Sequence, residues 1–226
     1  MKSKSDNEGQ VEITFFTDPL CCWSWSFEKP WRKLIDEYGD GIRYRYVMSG
    51  MIRDWNSYHD PMNSVSRPLQ MGPVWMHASQ ITHVPMRYSV WHEDPPASSY
   101  PACLAVKTAA LQSLEAEDIY LLNIRKALME KGLNIAKPEI LLQVAHETQQ
   151  QFPEKFNALQ FQNDWNKEKG KSGFRADLEK TRFHNIGRFP TLTFQNGNET
   201  GIMITGYRPY DVLLQAFQQI QPIVQP

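Results

Sequence analysis

The sequence predicts an α/β fold in which two strand-containing units enclose a long helical block. Near the start of the chain, a β-rich run is followed by a helical stripe and a second alternating run, which is the order of a βαβ unit. The middle of the chain has helical periodicity. Two strand-like runs and an amphipathic helix then follow, so the predicted order is βαβ, helices, ββα.

The first unit begins with a predicted strand at 11–16, which is rich in Val, Ile and Phe. A helix is expected at about 22–38, where apolar residues recur at helical spacing, and Pro30 predicts a kink or a break within it. The Gly-Asp-Gly segment at 39–41 should end this helix. Alternating residues at 42–48 predict a second strand, and the short connections favour parallel pairing with the first.

The middle of the chain changes character from about residue 50. Residues 50–100 are rich in Met, Trp, His and Pro without clear periodicity, which predicts short helices and loops. Asp118 is a candidate N-cap, and Pro138 lies where a helix is expected to start. Helices are predicted at 101–114, 118–131, 138–149, 153–161 and 171–184.

The last unit is predicted from strand signals that return near residue 189. A strand is expected at 189–195, and the Asn196-Gly197 pair indicates a hairpin turn. Its partner strand is expected at 199–205. An amphipathic helix at 210–220 should complete the unit.

Composition limits the classes of function. The chain has 226 residues, enough for one large domain or a domain with a sizeable insertion, and its hydrophobic and charged fractions are ordinary for a globular protein. A net charge of −1 gives no support for binding to nucleic acid or to an anionic membrane. No apolar run has membrane-spanning length, and the polar N-terminus lacks a signal-peptide core, so a cytoplasmic location is expected.

The three cysteines indicate catalytic, redox or simply buried thiols rather than a disulfide framework. Two of them, Cys21 and Cys22, are adjacent and follow the first predicted strand. A thiol at the start of a helix lies near unpaired backbone N–H groups and the positive end of the helix dipole. Both favour the thiolate, so a lowered pKa and a reactive Cys21 are expected. No Cys/His cluster has the spacing of a zinc site.

The segment from Phe16 to Trp25 resembles the active-site signature Asp-Pro-x-Cys-x-Trp-Cys-Trp of the FrnE-like, cytoplasmic branch of DsbA-type proteins. The segments 95–102, 187–192 and 206–210 resemble the start of that family's helical insertion, its cis-proline loop and the start of its last helix. The resemblance implies a thioredoxin fold with a large all-helical insertion. It also implies a discontinuous thioredoxin domain at 10–49 and 172–222, with the insertion at 50–171.

The resemblance implies that Cys21 is the nucleophile and that Ser24 replaces the second cysteine of the redox motif. Ser24 cannot resolve a mixed disulfide, but its hydroxyl can donate a hydrogen bond to the Cys21 thiolate. The expected function is therefore that of a thiol-disulfide oxidoreductase or isomerase. It would use a monothiol mechanism on protein or small-molecule thiols and disulfides, with no tightly bound cofactor and an external thiol such as glutathione as the resolver.

Four further residues are expected to contact the substrate. Cys22 and Trp23 follow the nucleophile, with Cys22 expected to be small and partly exposed. The bond between Phe189 and Pro190 is expected to be cis on the basis of the resemblance, and Phe189 would offer backbone groups to an extended substrate. Cys103, at the start of an Ala-rich helix, is expected to be a buried structural thiol.

Two alternatives remain open. One is a non-catalytic adaptor that uses the same groove to bind a partner, because an adaptor tolerates the loss of the resolving cysteine. The other is an enzyme similar to kappa-type glutathione transferases, although those use a serine where this chain has Cys21. The sequence leaves the physiological substrate and the oligomeric state open.

Tryptophan and methionine are concentrated near the predicted thiol and in the region 50–100. These side chains could form an apolar groove beside the thiol, since methionine adapts to varied partners, or they could pack the insertion against the strands. No histidine of this region has a pairing that assigns it a role. The residues concerned are Trp23, Trp25, Trp55, Trp75, Trp91, Met51, Met62, Met71, Met76 and Met86.

Overall fold

The centre of the fold is a mixed four-stranded sheet. It is seen in a computed structural model that describes residues 10–197 and 201–221. Its strands are β1 (Val11–Thr17), β2 (Ile42–Met48), β3 (Thr191–Gln195) and β4 (Ile202–Thr205). The order across the sheet is β2-β1-β3-β4, with β1 parallel to β2 and the other pairs antiparallel. The predicted βαβ and ββα units therefore meet in one sheet, which confirms the α/β fold.

The helices occupy the positions that the sequence predicts, with differences at their ends. The described residues form α1 (Cys22–Ser26), α2 (Glu28–Tyr38), α3 (Met71–Thr82), α4 (Val90–Glu93), α5 (Tyr100–Ala109), α6 (Leu114–Met129), α7 (Pro138–Gln151), α8 (Ala158–Asn166), α9 (Lys171–Phe183) and α10 (Tyr210–Ile220). Helices α3 to α9 follow β2 and precede β3, between the two strand-forming parts of the chain. The fold is therefore a thioredoxin fold with a helical insertion of the DsbA type.

The break in the first helix lies at Phe27 rather than at Pro30. Phe27 ends α1 and also caps α2, and its fully buried ring packs edge-on against Phe15 of β1. Pro30 is the third residue of α2, where a backbone N–H has no partner within the helix and its loss costs little. The sequence therefore predicts the break correctly but places it three residues too late.

Two predicted helix starts are wrong. Helix α6 begins at Leu114, and its N-cap is Ser113, whose hydroxyl accepts a hydrogen bond from Ala116 at 2.9 Å. Asp118 is instead inside the helix, where its carboxylate pairs with Arg32 of α2. The helix predicted at 153–161 occupies Ala158–Asn166, because the Asn157 side chain caps it there.

The last unit follows the prediction closely. Strand β3 begins at Thr191, two residues later than predicted, since residues 189–190 form the loop before it. The predicted hairpin turn borders residues 198–200, which lie outside the described residues, as does the start of the predicted partner strand. Helix α10 has the predicted bounds and packs against α2 and β3.

The strands alternate between two faces of different character. On one face, apolar residues such as Ile13, Phe15 and Leu192 pack against α2 and α10. The register places threonine, arginine and glutamine on the other face, which α9 covers in part through its contact with β2. Residues 18–21, which we call the thiol loop, follow the end of β1. The helical insertion follows β2, which ends at the same edge of the sheet because the two strands are parallel.

Candidate functional site

Cys21 lies at the junction that the sequence predicts, between the end of β1 and the start of α1. The Asp18 side chain shapes this loop by accepting a hydrogen bond from the Leu20 N–H at 2.9 Å. The Cys21 N–H donates to the Asp18 carbonyl at 3.1 Å. Cys21 then caps α1, and its sulfur accepts a hydrogen bond from the Ser24 N–H at 3.4 Å. The sulfur therefore takes the place of the oxygen of an ordinary capping residue.

The loop before β3 brings Phe189 to the thiol. The Cys21 Sγ donates a hydrogen bond to the Phe189 carbonyl at 3.5 Å, across 168 positions of sequence. The peptide bond between Phe189 and Pro190 is cis, and the Pro190 carbonyl accepts a hydrogen bond from the Gly206 N–H at 2.7 Å. The structure thus brings together the thiol and the proline loop, which the resemblance to DsbA-type proteins implies should face each other.

The expectation of a lowered pKa at Cys21 is wrong for this structure. Cys21 is only 5% exposed, and this burial raises the pKa of its thiol above the ordinary value. The Ser24 groups beside the sulfur lower the pKa, as does the more distant charge of Arg125, but they offset only part of the rise. Helix α1 has five residues, too few to supply a strong dipole. Cys21 is therefore a protonated thiol at neutral pH.

Ser24 is a fully buried residue in the first turn of α1. Its backbone N–H donates the hydrogen bond to the Cys21 sulfur. Its hydroxyl has no hydrogen-bond partner among residues 10–197 and 201–221. This position is where a second thiol would have to be in a dithiol site. The Ser24 side chain nevertheless lies close enough to the sulfur to lower the pKa of the Cys21 thiol, as the predicted role requires.

The other two cysteines do not replace the missing thiol. All three cysteines are free. Cys22 is 4% exposed rather than partly exposed as predicted, and burial raises the pKa of its thiol well above the ordinary value. Cys103 is fully buried, as predicted, and its sulfur lies 3.5 Å from Oδ2 of Asp18. Cys103 is therefore a buried structural thiol that contacts Asp18 of the thiol loop.

Two charged residues that the sequence does not assign support the loop from inside. Asp18 is fully buried, and its Oδ2 accepts a hydrogen bond from the Met51 N–H at 2.6 Å, which ties the thiol loop to the start of the insertion. Burial raises the pKa of this carboxyl group. Arg125 of α6 is also fully buried and donates hydrogen bonds to Thr17 and Glu28. In the sequence, the Asp-Pro pair that follows the first strand draws attention to Asp18. Arg125 has no such signal, because it resembles any other arginine in a helix.

A cavity of about 880 Å³ opens beside Cys21. It lies between the thiol loop, the start of the insertion, α3 and the loops that precede β3 and α10. Trp23 forms part of its wall, with its ring 6.4 Å from that of Tyr207 and 6.3 Å from that of His77. The apolar and aromatic lining residues are Leu20, Trp23, Met51, Tyr58, Met62, Met71, Val74, Trp75, Ile81, Phe189 and Tyr207.

The charged part of the cavity lining is mainly cationic. Arg53, Arg188 and Arg208 line it, together with a single described carboxylate, that of Asp60. Arg53 lies 3.7 Å from Asp54, whereas the described residues form no ion pair with Arg188 or Arg208. The cavity thus combines apolar walls with arginine side chains, a combination suited to an extended or acidic protein segment.

The tryptophan and methionine residues divide between the two expected roles. Trp23, Met51 and Met62 line the cavity, and Met71 and Trp75 line it while also belonging to the buried core. Trp25, Trp91 and Met86 are buried, and Trp55 packs against Trp91. The sequence could not separate these roles, because both use large apolar side chains. Met76 is an exposed residue of α3.

Within residues 10–197 and 201–221, no group of histidine, cysteine and acidic residues could hold a metal ion. The same residues contain no helix with the length and apolar content needed to cross a bilayer.

A family model described as Thioredoxin matches residues 15–215. The chain belongs to the thioredoxin family. The match includes both the Cys21 loop and the cis-proline loop, so the site lies within the part of the chain that defines the family.

Sequence relatives of this chain carry the name of an adaptor. The ClpXP adapter protein SpxH of Halalkalibacterium halodurans is 30% identical, over 97% of this chain and 72% of its own length. The protein of the same name from Bacillus subtilis is 28% identical, over 89% of this chain and 64% of its own length. Both relatives are therefore longer than the part that this chain matches.

Solved structures reproduce the thioredoxin fold with its insertion. The cytosolic disulfide reductase DsbM from Pseudomonas aeruginosa superposes with a TM-score of 0.69 and 19% identity, covering 92% of this chain and 98% of that one. At this identity the similarity establishes the fold. The chain thus shares its architecture with a disulfide reductase and its closer sequence similarity with adaptor proteins.

Proposed function

We propose that this protein is an adaptor, which binds a protein partner in the cavity beside Cys21 and delivers it to the ClpXP protease. The observation that carries the proposal is the state of the thiol. Cys21 is buried, its pKa is raised, and Ser24 stands where a resolving thiol would be needed. The site therefore retains the binding half of a thiol-disulfide exchange site and lacks the features that give turnover. The names of the relatives support the same conclusion.

The cavity has the properties that partner binding requires. Its walls are apolar and aromatic, with methionine side chains that can adapt to the shape of a partner. The Phe189 loop precedes strand β3, so its backbone can pair with an extended segment of the partner. Arg188 and Arg208 would favour acidic residues in that segment, and they would make its binding depend on salt concentration.

Degradation by ClpXP tests the proposal directly. Purified ClpXP is incubated with a soluble protein extract, with and without this chain, and protein half-lives are measured by mass spectrometry. We expect the chain to shorten the half-lives of a small set of proteins. The cavity variant Ile81→Asp should abolish the effect, because it places a charge in the apolar wall. The control Leu159→Asp, which alters an exposed leucine of α8, should retain it. The absence of any chain-dependent half-life would contradict the proposal.

Monothiol chemistry is the second candidate, because the Cys21 sulfur contacts the cis-proline loop beside a large cavity. In this mechanism, the Cys21 thiolate attacks the glutathione sulfur of a glutathionylated substrate and releases the substrate thiolate. The thiolate of a second glutathione then attacks the Cys21 mixed disulfide, releasing glutathione disulfide and the Cys21 thiolate. Glutathione is the co-substrate in this mechanism. The fold that this chain shares with the cytosolic reductase DsbM, which is also known in a structure with glutathione, supports that co-substrate and a cytoplasmic location.

Replacement of the thiol separates the two candidates. The variant Cys21→Ser cannot form a mixed disulfide, so it abolishes monothiol reduction of a glutathionylated peptide if that is the function. Partner delivery to ClpXP should survive this change, since the cavity walls remain.

A kappa-type transferase activity would require glutathione to bind reversibly in the cavity. Calorimetry with glutathione measures that binding, and the absence of binding would exclude this activity.

A further inference from the structure

The face of the sheet away from the main core carries a row of mostly polar residues that ends in a methionine. Directly paired positions on the four strands are Arg45 of β2, Thr14 of β1, Thr193 of β3 and Met203 of β4. The Arg45 Nε donates a hydrogen bond to the Thr14 hydroxyl oxygen at 3.0 Å. That oxygen is an acceptor in this bond, so its own proton remains available for another group.

Helix α9 and the residue after it close one side of this row. His184 packs its ring edge-on against Phe16, with 5.8 Å between the ring centres. Lys180 lies one turn earlier in the chain and also faces the sheet. Between them and the strands is a second cavity of about 210 Å³, and its lining shares no residue with the cavity beside Cys21. We refer to it as the sheet-face cavity. It is lined by Thr14, Phe16, Arg45, Lys180, His184, Thr193, Gln195, Gly201, Ile202 and Met203.

The charged side chains that line the sheet-face cavity among the described residues are both cations. Arg45 and Lys180 form no ion pair there, and no described carboxylate lines the cavity. The nearby acids are engaged elsewhere, since Glu12 pairs with Arg43 and Asp177 lies 3.3 Å from the amine of Lys107. Partial burial and repulsion by Arg45 lower the pKa of Lys180. The charges of Asp177 and Glu12 offset part of this lowering. An anion bound between Arg45 and Lys180 would relieve the repulsion that remains between the two cations.

We infer that the sheet-face cavity binds a phosphate group, as free phosphate or as the end of a small phosphate monoester. Two cations match the charge of the dianion. The hydroxyl groups of Thr14 and Thr193 are neighbouring donors on the floor of the cavity, and the His184 ring lies at its side. The volume of the cavity accommodates a phosphate group and a few further atoms, and it excludes a nucleic-acid duplex.

Titration with inorganic phosphate at constant ionic strength tests this inference, followed by nuclear magnetic resonance of the amide groups. We expect saturable shifts at Thr14, Thr193 and His184. The variants Arg45→Gln and Lys180→Gln should each weaken binding at least 10-fold. The control Lys167→Gln changes an exposed lysine beyond α8 and should leave the affinity unchanged.

The source of the phosphate group is resolved by comparing inorganic phosphate with glycerol 3-phosphate. Binding of the monoester at least 10-fold tighter than phosphate identifies a phosphorylated metabolite as the ligand class. Equal affinities identify free phosphate. The inference is overturned if neither ligand produces saturable shifts, or if Lys180→Gln folds normally and binds phosphate as the unchanged protein does. Adaptor activity does not enter this test, so the two proposals can fail separately.

Discussion

At the residue scale, the decisive feature is that Cys21 combines the position of a nucleophile with the environment of a structural thiol. Its sulfur caps α1 and contacts the Phe189 carbonyl, which is the geometry of an exchange site. Burial nevertheless raises its pKa, and the group that would complete a dithiol pair is a hydroxyl. A raised pKa keeps the thiol protonated at neutral pH, which limits its reactivity as a nucleophile.

Restoring the second thiol tests whether the rest of the site is intact. The Ser24 N–H is 3.4 Å from the Cys21 sulfur, so a cysteine at this position begins within reach of Cys21. We expect Ser24→Cys to gain activity in an insulin-reduction assay of at least 10-fold over the unchanged chain. Thr108→Cys places a thiol in the buried interior of α5 and serves as the control, with no gain expected. An inert but folded Ser24→Cys variant would mean that other parts of the site have also lost catalytic function.

The sequence predicts the positions of some residues of the site but not the environment of Cys21 or the role of Arg125. Cys21 was predictable from the end of a strand and the start of a helix, and the proline loop was predictable from the resemblance to DsbA-type proteins. The direction of the Cys21 pKa was not, since it depends on burial by segments distant in sequence. Arg125 gave no signal, because its role depends on α6 packing behind the thiol loop.

At the scale of elements, the connection between β2 and the insertion accommodates only glycine at position 50. Gly50 follows β2 with φ of +59°, a conformation that side chains rarely adopt. A Cβ there would lie 2.8 Å from atoms of both Leu178 and Tyr100. The chain therefore needs glycine at the point where the insertion leaves the sheet beside α5 and α9.

We expect Gly50→Ala to lower the free energy of unfolding by about 2–4 kcal/mol, from backbone strain and overlap together. Denaturant unfolding followed by circular dichroism measures the change. Gly187→Ala is the matched control, since a Cβ there meets nothing within 4 Å, and its effect should stay below about 1 kcal/mol. Equal effects of the two substitutions would contradict the packing described for Gly50.

Prediction of the elements failed where a cap or a long-range contact decides the boundary. Asp118 looked like a helix cap in sequence, but Ser113 caps α6 and Asp118 serves the ion pair with Arg32. The break at Phe27 follows from burial of its ring against Phe15, a contact invisible to local propensity. Helix α10 was predicted with its observed bounds, because its own apolar stripe and Pro209 determine it.

At the scale of the whole molecule, a buried ionic network joins the insertion to the thioredoxin core. Arg125 of α6 pairs with Glu28 of α2, and Arg32 of α2 pairs with both Glu28 and Asp118 of α6. The Asp118 carboxylate also accepts a hydrogen bond from Tyr46 of β2. The network lies behind the thiol loop, so it fixes the insertion helices relative to the strands that carry the site.

Removing the central cation should therefore destabilise the whole fold. We expect Arg125→Met to lower the free energy of unfolding by about 3 kcal/mol, because it leaves a buried carboxylate with one partner fewer. Lys155→Met breaks an exposed pair with Glu115 and should change stability by less than about 0.5 kcal/mol. Denaturant unfolding compares the two. A loss below about 1 kcal/mol for Arg125→Met would mean that the network does not join the two parts.

The central claim, that Cys21 is a binding-site thiol and not an activated nucleophile, is tested most directly by its alkylation rate as a function of pH. Iodoacetamide labelling at Cys21 is followed by mass spectrometry of the intact, folded chain, and Cys21→Ser gives the background from the other cysteines. The raised pKa predicts a rate that keeps increasing with pH beyond about 8.5, the ordinary thiol value. A rate that reaches its plateau below about pH 7 would reveal a stabilised thiolate and contradict the account.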